Sequence, residues 1–473
     1  MPADTPSWHV HCRRLVYLVL GLSLLVTIVD TVAASNAAVS LSNTGASRDR
    51  LDVPRWLYLL TGGSTIGASA LLASVVTDRG FIEGIHDWRL SVPTRAGLKR
   101  SVIVVSQLIG VIALGYIVWR GLVGPQVPTV NAAIILVFAG VRAGLTMVTY
   151  LIGNPWPALN PWRTIAEWLP TLDRSYPASI GHWPAVIGFL VLVWIETTTA
   201  VNTLPRTLSL TLLGYTGITL GGALVFSPDT WFQNVDPVSA FFRFYGAVSP
   251  IQWSDDGFRV QLHGFALPES DIVSGLDDVA FVIALVWELT FTGFVTTTVG
   301  AAAVSILVRS GVPALAVYAV IFVGGYAVFL GAYLVATRRS WRVAETYLSE
   351  RTLALRFALP LLAIAAGYHL AHYFAFFVSL SLPVIQVIQS PLSPPSNPLV
   401  LTLPWWFGGL NIAFVLVGHL LAIWLAHAIA YATFPSRMQA IKSQYPFVIV
   451  MIGYTITSLW LISLPTASPA FLG

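Results

Sequence analysis

Long apolar stretches constrain this chain more than any other feature of its sequence. A helix needs about 20 mostly apolar residues to cross the hydrocarbon core of a bilayer, and eleven stretches meet that length. Segment 277–308 is overlong, which predicts a tilted helix or a break near Gly293 and Gly300. We therefore predict an all-α, polytopic transmembrane helix bundle of about 11 spans, with the lipid bilayer as its partner. The predicted spans are 15–34, 56–77, 101–122, 130–152, 184–202, 206–226, 277–308, 312–336, 353–380, 405–433 and 446–465.

The composition excludes an ordinary soluble protein. Charged residues make up 10% of the chain and hydrophobic residues 56%, whereas soluble domains carry roughly 25% charged residues. No long stretch is polar enough to form a soluble domain, so residues 1–473 are interpreted as one integral membrane domain. The net charge of +4 does not indicate nucleic-acid binding, because the basic residues lie mostly in loops. A single cysteine, Cys12, excludes a disulfide within the chain and a multi-cysteine metal site.

The distribution of Lys and Arg predicts the orientation. Basic residues are concentrated in alternate loops, and cytoplasmic loops carry an excess of them. This pattern predicts a cytoplasmic tail at 1–14, an N-terminus inside and a C-terminus outside. The apolar run 15–34 resembles a signal peptide but is long for one, and further spans follow, so an uncleaved first span is favoured.

Three loops are long enough to carry structure of their own. Residues 153–183 are rich in Trp and Pro and predict an interfacial re-entrant turn with a short amphipathic helix, its Trp side chains at headgroup level. Residues 227–276 are predicted to be a cytoplasmic loop, in which DGFRVQLHGFAL alternates like a strand of a β-hairpin. Residues 382–404 are uncharged and rich in Pro, which predicts an extended external loop.

Three ionisable residues fall near the middle of predicted spans. Arg142, Glu196 and Glu288 lie at similar depth when about 1.5 Å of rise is counted for each residue. Such groups are costly in hydrocarbon and are functional candidates by default. One interpretation is a structural ion pair of Arg142 with one of the two acids, the other acid being protonated. The alternative is a binding site for a small-molecule substrate or ion, or a proton relay, in a transporter or proton-coupled channel.

Four histidines form a second candidate group. His369 and His372 lie three residues apart, hence on one face of a predicted helix. His419 and His427 lie on the next predicted helix, which runs antiparallel to the first. One imidazole from each helix at mid-depth would suit a haem or a divalent metal. Proton or substrate chemistry and purely structural hydrogen bonding remain alternatives.

Several segments, in their order along the chain, resemble one prokaryotic family of membrane proteins. The family is named for fenitrothion hydrolase, an organophosphate-ester hydrolase. The resemblance implies a multi-pass protein of the prokaryotic plasma membrane. The matching segments are LNPWRTIAEW (159–168), YPASIGHWPAVIGFLVLVWIE (176–196), GYHLAHYFAFF (367–377), GHLLAIWLAH (418–427) and SQYPFVIVMIGYTITSLWLIS (443–463).

The resemblance also implies a chemistry, hydrolysis of phosphoesters by a buried histidine cluster, with a divalent metal to activate water. Asn160, Pro161, Trp162 and Arg163 match the N-P-W-R element of the family, and His372, His419 and His427 match its histidine positions. The chain departs from the family at His369 and at Thr292, which stands where the family has Asp. The candidate catalytic residues are His372, His419, His427 and Glu288; the candidate binding residues are Arg142, Glu196, Arg163 and His369; the candidate metal ligands are His372 and His419.

Overall fold

A computed structural model describes residues 55–472, apart from 77, 87, 95, 255, 256 and 405. The cytoplasmic tail 1–14 and the first predicted span lie outside these residues. Helices α1 to α16 are Arg55–Val75, Arg79–His86, Ala96–Val123, Ala132–Leu151, Trp156–Leu159, Pro161–Glu167, Trp183–Thr198, Pro205–Phe226, Pro228–Asn234, Pro237–Gly246, Leu276–Val295, Thr298–Arg309, Ala314–Ala344, Glu350–Gln389, Phe407–Thr433 and Arg437–Ser463. Strands β1 (Leu90–Pro93), β2 (Ile251–Ser254) and β3 (Gly257–Val260) form a small antiparallel sheet in the order β1-β3-β2.

The described residues form an all-α integral membrane protein. Eight helices are long and apolar enough to cross a membrane, namely α3, α4, α8, α11, α13, α14, α15 and α16. Helices α1 and α7 occupy two further predicted spans, and α7 is shorter, with 16 residues. Every predicted span within the described residues therefore coincides with a helix, although the count of eleven stays a prediction.

The overlong span is broken, which is one of the two alternatives that its length predicts. Helix α11 ends at Val295, and α12 begins at Thr298 after Thr297, whose hydroxyl accepts a hydrogen bond from the backbone N–H of Gly300 at 3.0 Å. A threonine in this position caps the new helix. The prediction for 382–404 differs from the structure at its start, because α14 continues through Pro383 to Gln389.

Helix α11 occupies the centre of the bundle. Of its apolar window, 89% is buried inside the protein, against 11% for α3 at the edge. A helix that is apolar on all sides is expected in a core, and α7, α13, α14 and α16 pack around α11. A charged side chain on α11 therefore has to find its counter-ion on one of the neighbouring helices, whereas Thr290 and Thr292 bond to carbonyl oxygens of α11 itself.

Polar contacts between helix ends show which ends lie together. Arg79, after α1, donates to the carbonyl oxygen of Phe434, after α15, at 2.6 Å. Ser340, near the end of α13, donates to the carbonyl oxygen of Ser443, near the start of α16, at 2.7 Å. This end of the bundle matches the predicted cytoplasmic face, although the orientation itself stays a prediction. The basic residues at this end include Arg79, Arg338, Arg339, Arg342, Arg351, Arg437 and Lys442.

Two segments re-enter the bundle instead of lying in loops. Helix α6 contacts the middle of α8, where Trp162 Nε1 donates to Thr216 Oγ1 at 2.8 Å. Trp156 and Trp162 are both buried inside the bundle, whereas Trp168, the third tryptophan of this segment, is exposed, so the predicted headgroup position of the tryptophans stays a prediction. Helix α10, from the predicted cytoplasmic loop, is also buried, with Tyr245 fully enclosed. In the same loop, the predicted strand is confirmed as β3, Gly257–Val260.

Both re-entrant segments use the same local device, a capping side chain followed by proline. Asn160 Oδ1 accepts hydrogen bonds from the backbone N–H groups of Trp162 and Arg163 at the start of α6. Asp236 Oδ2 accepts one from Ser239 N at the start of α10, at 2.7 Å. Asn and Asp are preferred caps and proline is favoured at the first helical position. The two helix starts meet where Asn160 Nδ2 donates to Ser239 Oγ at 3.1 Å.

The chain segments that carry the re-entrant helices have the same order of elements. Residues 96–167 and 183–246 each contain an outgoing helix, a return helix and two short helices. Near the start of α8, Ser209 Oγ donates to the carbonyl oxygen of Val118, near the end of α3, at 3.1 Å. Helix α8 therefore runs antiparallel to α3 and in the same direction as α4. The two segments are duplicated in architecture and point the same way across the bundle.

The close contact between α14 and α15 predicts a local sensitivity to side-chain volume. A Cβ atom at Gly367 on α14 would lie 2.7 Å from the Cα of Gly418 on α15, whereas a Cβ at Gly331 on α13 would meet nothing within 4 Å. Overpacking of a close contact typically costs about 1–3 kcal/mol. We expect Gly367→Val to lower the thermal unfolding midpoint of the detergent-solubilised protein, and Gly331→Val to leave it nearly unchanged. Equal midpoints for the two variants would contradict this packing.

Candidate functional site

Arg142 is presented by an unusual stretch of helix. Residues Ile135–Leu145 in α4 form a π-helix of 11 residues. Such helices are rare, and shorter examples frequently occur at functional sites. Small residues follow Arg142 and allow α14 to approach closely, since a Cβ at Gly144 would lie 2.6 Å from Phe377 Cε2. The widened helix and the close neighbour place the guanidinium among α7, α11 and α14.

Arg142 pairs with both midplane acids. Its Nη2 donates to Glu288 Oε1 on α11, and its Nε lies 3.4 Å from Glu196 Oε2 on α7. One interpretation of the sequence paired Arg142 directly with one acid only; in the structure Arg142 donates to Glu288 and also lies within ion-pair distance of Glu196. The side chain of Glu288 is completely buried, whereas that of Glu196 is 26% exposed.

Aromatic rings and an unsatisfied oxygen complete the surroundings of this ion cluster. The guanidinium carbon lies 5.1 Å from the ring centre of Tyr373 and 5.5 Å from that of Phe241, within the range of cation–π attraction. Glu288 Oε2 has no hydrogen-bond partner among the described residues. One buried acceptor is therefore left over after Arg142 has bound Glu288.

His369 positions the Arg142 backbone. Its Nε2–H donates to the carbonyl oxygen of Arg142 at 3.1 Å, and the hydroxyl of Tyr150 lies 3.2 Å from its Nδ1. A carbonyl oxygen only accepts, so Nε2 carries the proton and Nδ1 of the neutral ring accepts from Tyr150. His369 thus acts as a neutral bridge between α4 and α14.

The other three histidines do not join His369 in one cluster. His419 Nδ1 bonds to the carbonyl oxygen of Val415 at 2.8 Å, and His427 lies between Gln444 Oε1 and the carbonyl oxygen of Val76. Among the described residues, no hydrogen bond or ring contact joins His372 to another histidine; its ring contacts Tyr368 and Tyr373.

A haem between α14 and α15 does not fit at this level. The two backbones touch at Gly367 and Gly418, next to His369 and His419. That separation leaves no room for a porphyrin between the helices. The predicted meeting of one imidazole from each helix is replaced by separate partners for each ring.

A cavity of about 220 Å³ lies beside the ion cluster. Its lining residues lie mainly on α7 and α8 and on the neighbouring helices α4, α6 and α10. The walls are mainly apolar and aromatic, and within the described part of the chain the only charged lining residues are Arg142 and Glu196. The aromatic lining residues are Phe138, Trp162, Phe189, Tyr215, Phe241 and Phe242.

The starts of the re-entrant helices border this cavity. Tyr215, a lining residue on α8, donates its hydroxyl to Asp236, the cap of α10. Arg163 does not face the ion cluster; it pairs with Glu167 at 2.8 Å and Asp229 at 2.5 Å on a partly exposed surface. Arg163 therefore does not line the cavity, and its predicted binding role stays a prediction.

A second charged group, which sequence reasoning missed, lies at the other end of α7 and α11. His182, before α7, donates its backbone N–H to Asp277 at 2.5 Å and its Nδ1–H to Asp278 at 2.6 Å. The hydrogen bond to Asp278 raises the pKa of His182 above its ordinary value. The signal was present in the sequence as two adjacent acids at the start of an apolar run.

The same three residues are the one set of at least three potential metal ligands in the described part of the chain. One ligand atom from each of His182, Asp277 and Asp278 lies within 4.8 Å of the others. Both N–H groups of His182 already donate to the two carboxylates, and Asp278 also accepts from Ser274. The group is a closed, hydrogen-bonded latch between α7 and α11, not an open set of ligands.

The fold and the ion cluster define an all-α integral membrane protein with a charged site at mid-depth, beside an apolar cavity. No protein-family model, curated protein or solved structure matches this chain. The resemblance to fenitrothion hydrolase-like proteins therefore stays a prediction, and the site has to be interpreted from its own geometry.

The buried ion pair predicts that loss of Arg142 strongly destabilises the protein and that a second substitution at Glu288 restores most of the stability. Arg142→Met leaves Glu288 buried without its partner, which typically costs about 3–5 kcal/mol. We expect a large loss of thermal stability in detergent, and recovery of most of it in the double variant Arg142→Met, Glu288→Gln. A single variant as stable as the wild type, or a double variant less stable than the single one, would contradict the pairing.

The latch formed by His182, Asp277 and Asp278 predicts that the stability of the protein depends on pH. Because folding raises the pKa of His182, its contribution to stability is complete below about pH 6.5, the ordinary histidine value, and is lost as pH rises through the raised value. We expect His182→Gln to be less stable than the wild type at pH 6, with a smaller difference at pH 9. The measurement is the thermal unfolding midpoint of both proteins across this range, and a difference that grows with pH would disprove the assignment.

Proposed function

We propose that this protein is a proton-coupled membrane transporter whose coupling site consists of Arg142, Glu196 and Glu288. One observation carries the proposal: a single guanidinium on the wall of a mid-depth cavity pairs with two carboxylates, one of which, Glu196, also lines the cavity. Ionisable groups inside a membrane domain are rare, and typically mark pathways for ions, protons or substrates.

Charge balance explains why such a site exchanges a proton. With both acids ionised, the cluster carries one uncompensated negative charge in apolar surroundings. Desolvation disfavours that charge, and one proton or one other cation restores neutrality. A structural ion pair would need one acid only, and buried pairs contribute little net stability compared with well-packed apolar residues.

The two carboxylates have different roles in this mechanism. Glu288 is fully buried and holds Arg142 through Nη2, so it fixes the guanidinium. Glu196 is partly exposed, lines the cavity and has the longer contact with Arg142. We therefore assign the coupling role to Glu196, the carboxylate that the contents of the cavity can reach.

The irregular backbone around the site suits transport. The π-helix and the re-entrant helices α6 and α10 all border the cavity. Broken or re-entrant backbone is tolerated at membrane depth where it is buried in protein or lines a cavity, and transporters frequently build substrate sites in this way. For phosphoester hydrolysis, by contrast, no specific observation on the described residues provides a histidine base beside this cavity.

The experiment is proton movement in proteoliposomes that contain a fluorescent pH dye. Organic cations, organic anions and neutral amphiphiles are added in turn, and at least one class is expected to drive proton movement through the wild type. Because the coupling proton binds at Glu196, Glu196→Gln should abolish that response. Glu269→Gln, a substitution on the exposed surface, serves as the matched control and should respond like the wild type.

Two outcomes would refute the transport proposal. One is the absence of solute-driven proton movement for every class, with protein that is folded by size-exclusion chromatography. The other is an unchanged response in Glu196→Gln. Glu288→Gln is a weaker test, because it also removes the partner that fixes Arg142.

A further inference from the structure

We infer that the cavity binds a lipophilic monovalent organic cation, of the quaternary ammonium type, in exchange for the proton on Glu196. The inference rests on the proposed function for its coupling step, but the binding itself is argued from the cavity alone. Three properties carry it, namely the sign of the charge at the wall, the chemistry of the lining and the size of the space.

The charge at the wall favours a cation. Arg142 already lies against two carboxylates, so an anionic ligand would bring a third negative charge to a cluster that holds one positive charge. A cation can approach Glu196 from the cavity, because this carboxylate is partly exposed on the wall and makes the longer of the two contacts with Arg142. Binding of one positive charge brings the cluster to neutrality, as one proton does.

The lining favours a cation that needs no hydrogen bonds. Six of the lining residues are aromatic, from Phe138 on α4 to Phe242 on α10. The backbone N–H groups at the nearby helix starts are bound by the caps Asn160 and Asp236. Aromatic walls attract quaternary ammonium groups through cation–π interactions, and these groups have no N–H to satisfy.

The size of the cavity favours a small ligand. A cavity of about 220 Å³ lies below the typical range of about 300–1,000 Å³ for sites of drug-sized ligands. A quaternary ammonium group with one aromatic arm is of suitable dimensions. Benzyltrimethylammonium is therefore the probe, and its neutral carbon isostere, neopentylbenzene, is the matched ligand control.

A proton and a bound cation neutralise the same excess negative charge of the cluster, so the affinity for the cation depends on pH. A cation that enters while Glu196 is protonated releases that proton, so one H⁺ leaves for each cation bound. In the range where Glu196 is protonated in the empty site, the apparent affinity should rise about tenfold for each pH unit.

The test is isothermal titration of purified, detergent-solubilised protein with benzyltrimethylammonium, in buffers of different ionisation enthalpy to count released protons. The expected result is one saturable site, proton release, and affinity that rises with pH. Glu196→Gln should weaken binding at least tenfold and abolish proton release, while Glu269→Gln should bind like the wild type. Glu196→Asp keeps the charge and should retain measurable, pH-dependent binding.

The outcomes separate this inference from the transport proposal. The cation site would be overturned by any of three results. These are no saturable binding of benzyltrimethylammonium to the wild type, equal binding of it by Glu196→Gln, or binding of neopentylbenzene to the wild type as strong as that of the cation. Proton movement driven by another class of solute, without cation binding, would leave transport standing and refute this substrate class. Cation binding without any proton movement in proteoliposomes would support the site and refute transport.

Discussion

The ion pair between Arg142 and Glu288 is the interaction on which the centre of this bundle depends. Glu288 lies on α11, which is buried on nearly all sides, and an unpaired carboxylate there costs several kcal/mol. The guanidinium therefore has to reach α11, and it also contacts Glu196 on α7. Because His369 on α14 holds the carbonyl oxygen of Arg142, four helices take their relative positions from one residue.

The duplicated architecture of residues 96–167 and 183–246 determines what lines the cavity. Each segment places a short helix start inside the bundle, where buried backbone N–H groups need partners. Asn160 and Asp236 supply hydrogen-bond acceptors at these two starts. Among the described residues, Arg142 and Glu196 are then the charged groups on the wall of an otherwise apolar space.

The sequence predicted the long helices and the grouping of the three ionisable residues of the ion cluster. Hydropathy located the spans, and depth counting grouped Arg142, Glu196 and Glu288, which the structure confirms as neighbours. The π-helix has no sequence signature, because it results from packing of neighbouring helices. Helix α10 was missed because its 10 residues are too short for a span. Helical spacing also gives the face of a histidine but not its neighbour, so the partner of His369 on α4 could not be predicted.

Helices α7 and α11 run parallel and are connected twice. At their starts, His182 binds Asp278, and this connection weakens as pH rises above the ordinary histidine value. Deeper in the bundle, Glu196 and Glu288 share Arg142. Helix α7 is therefore held against α11 at its start by the latch and again near its end by the guanidinium, and the stretch between these two contacts forms one wall of the cavity.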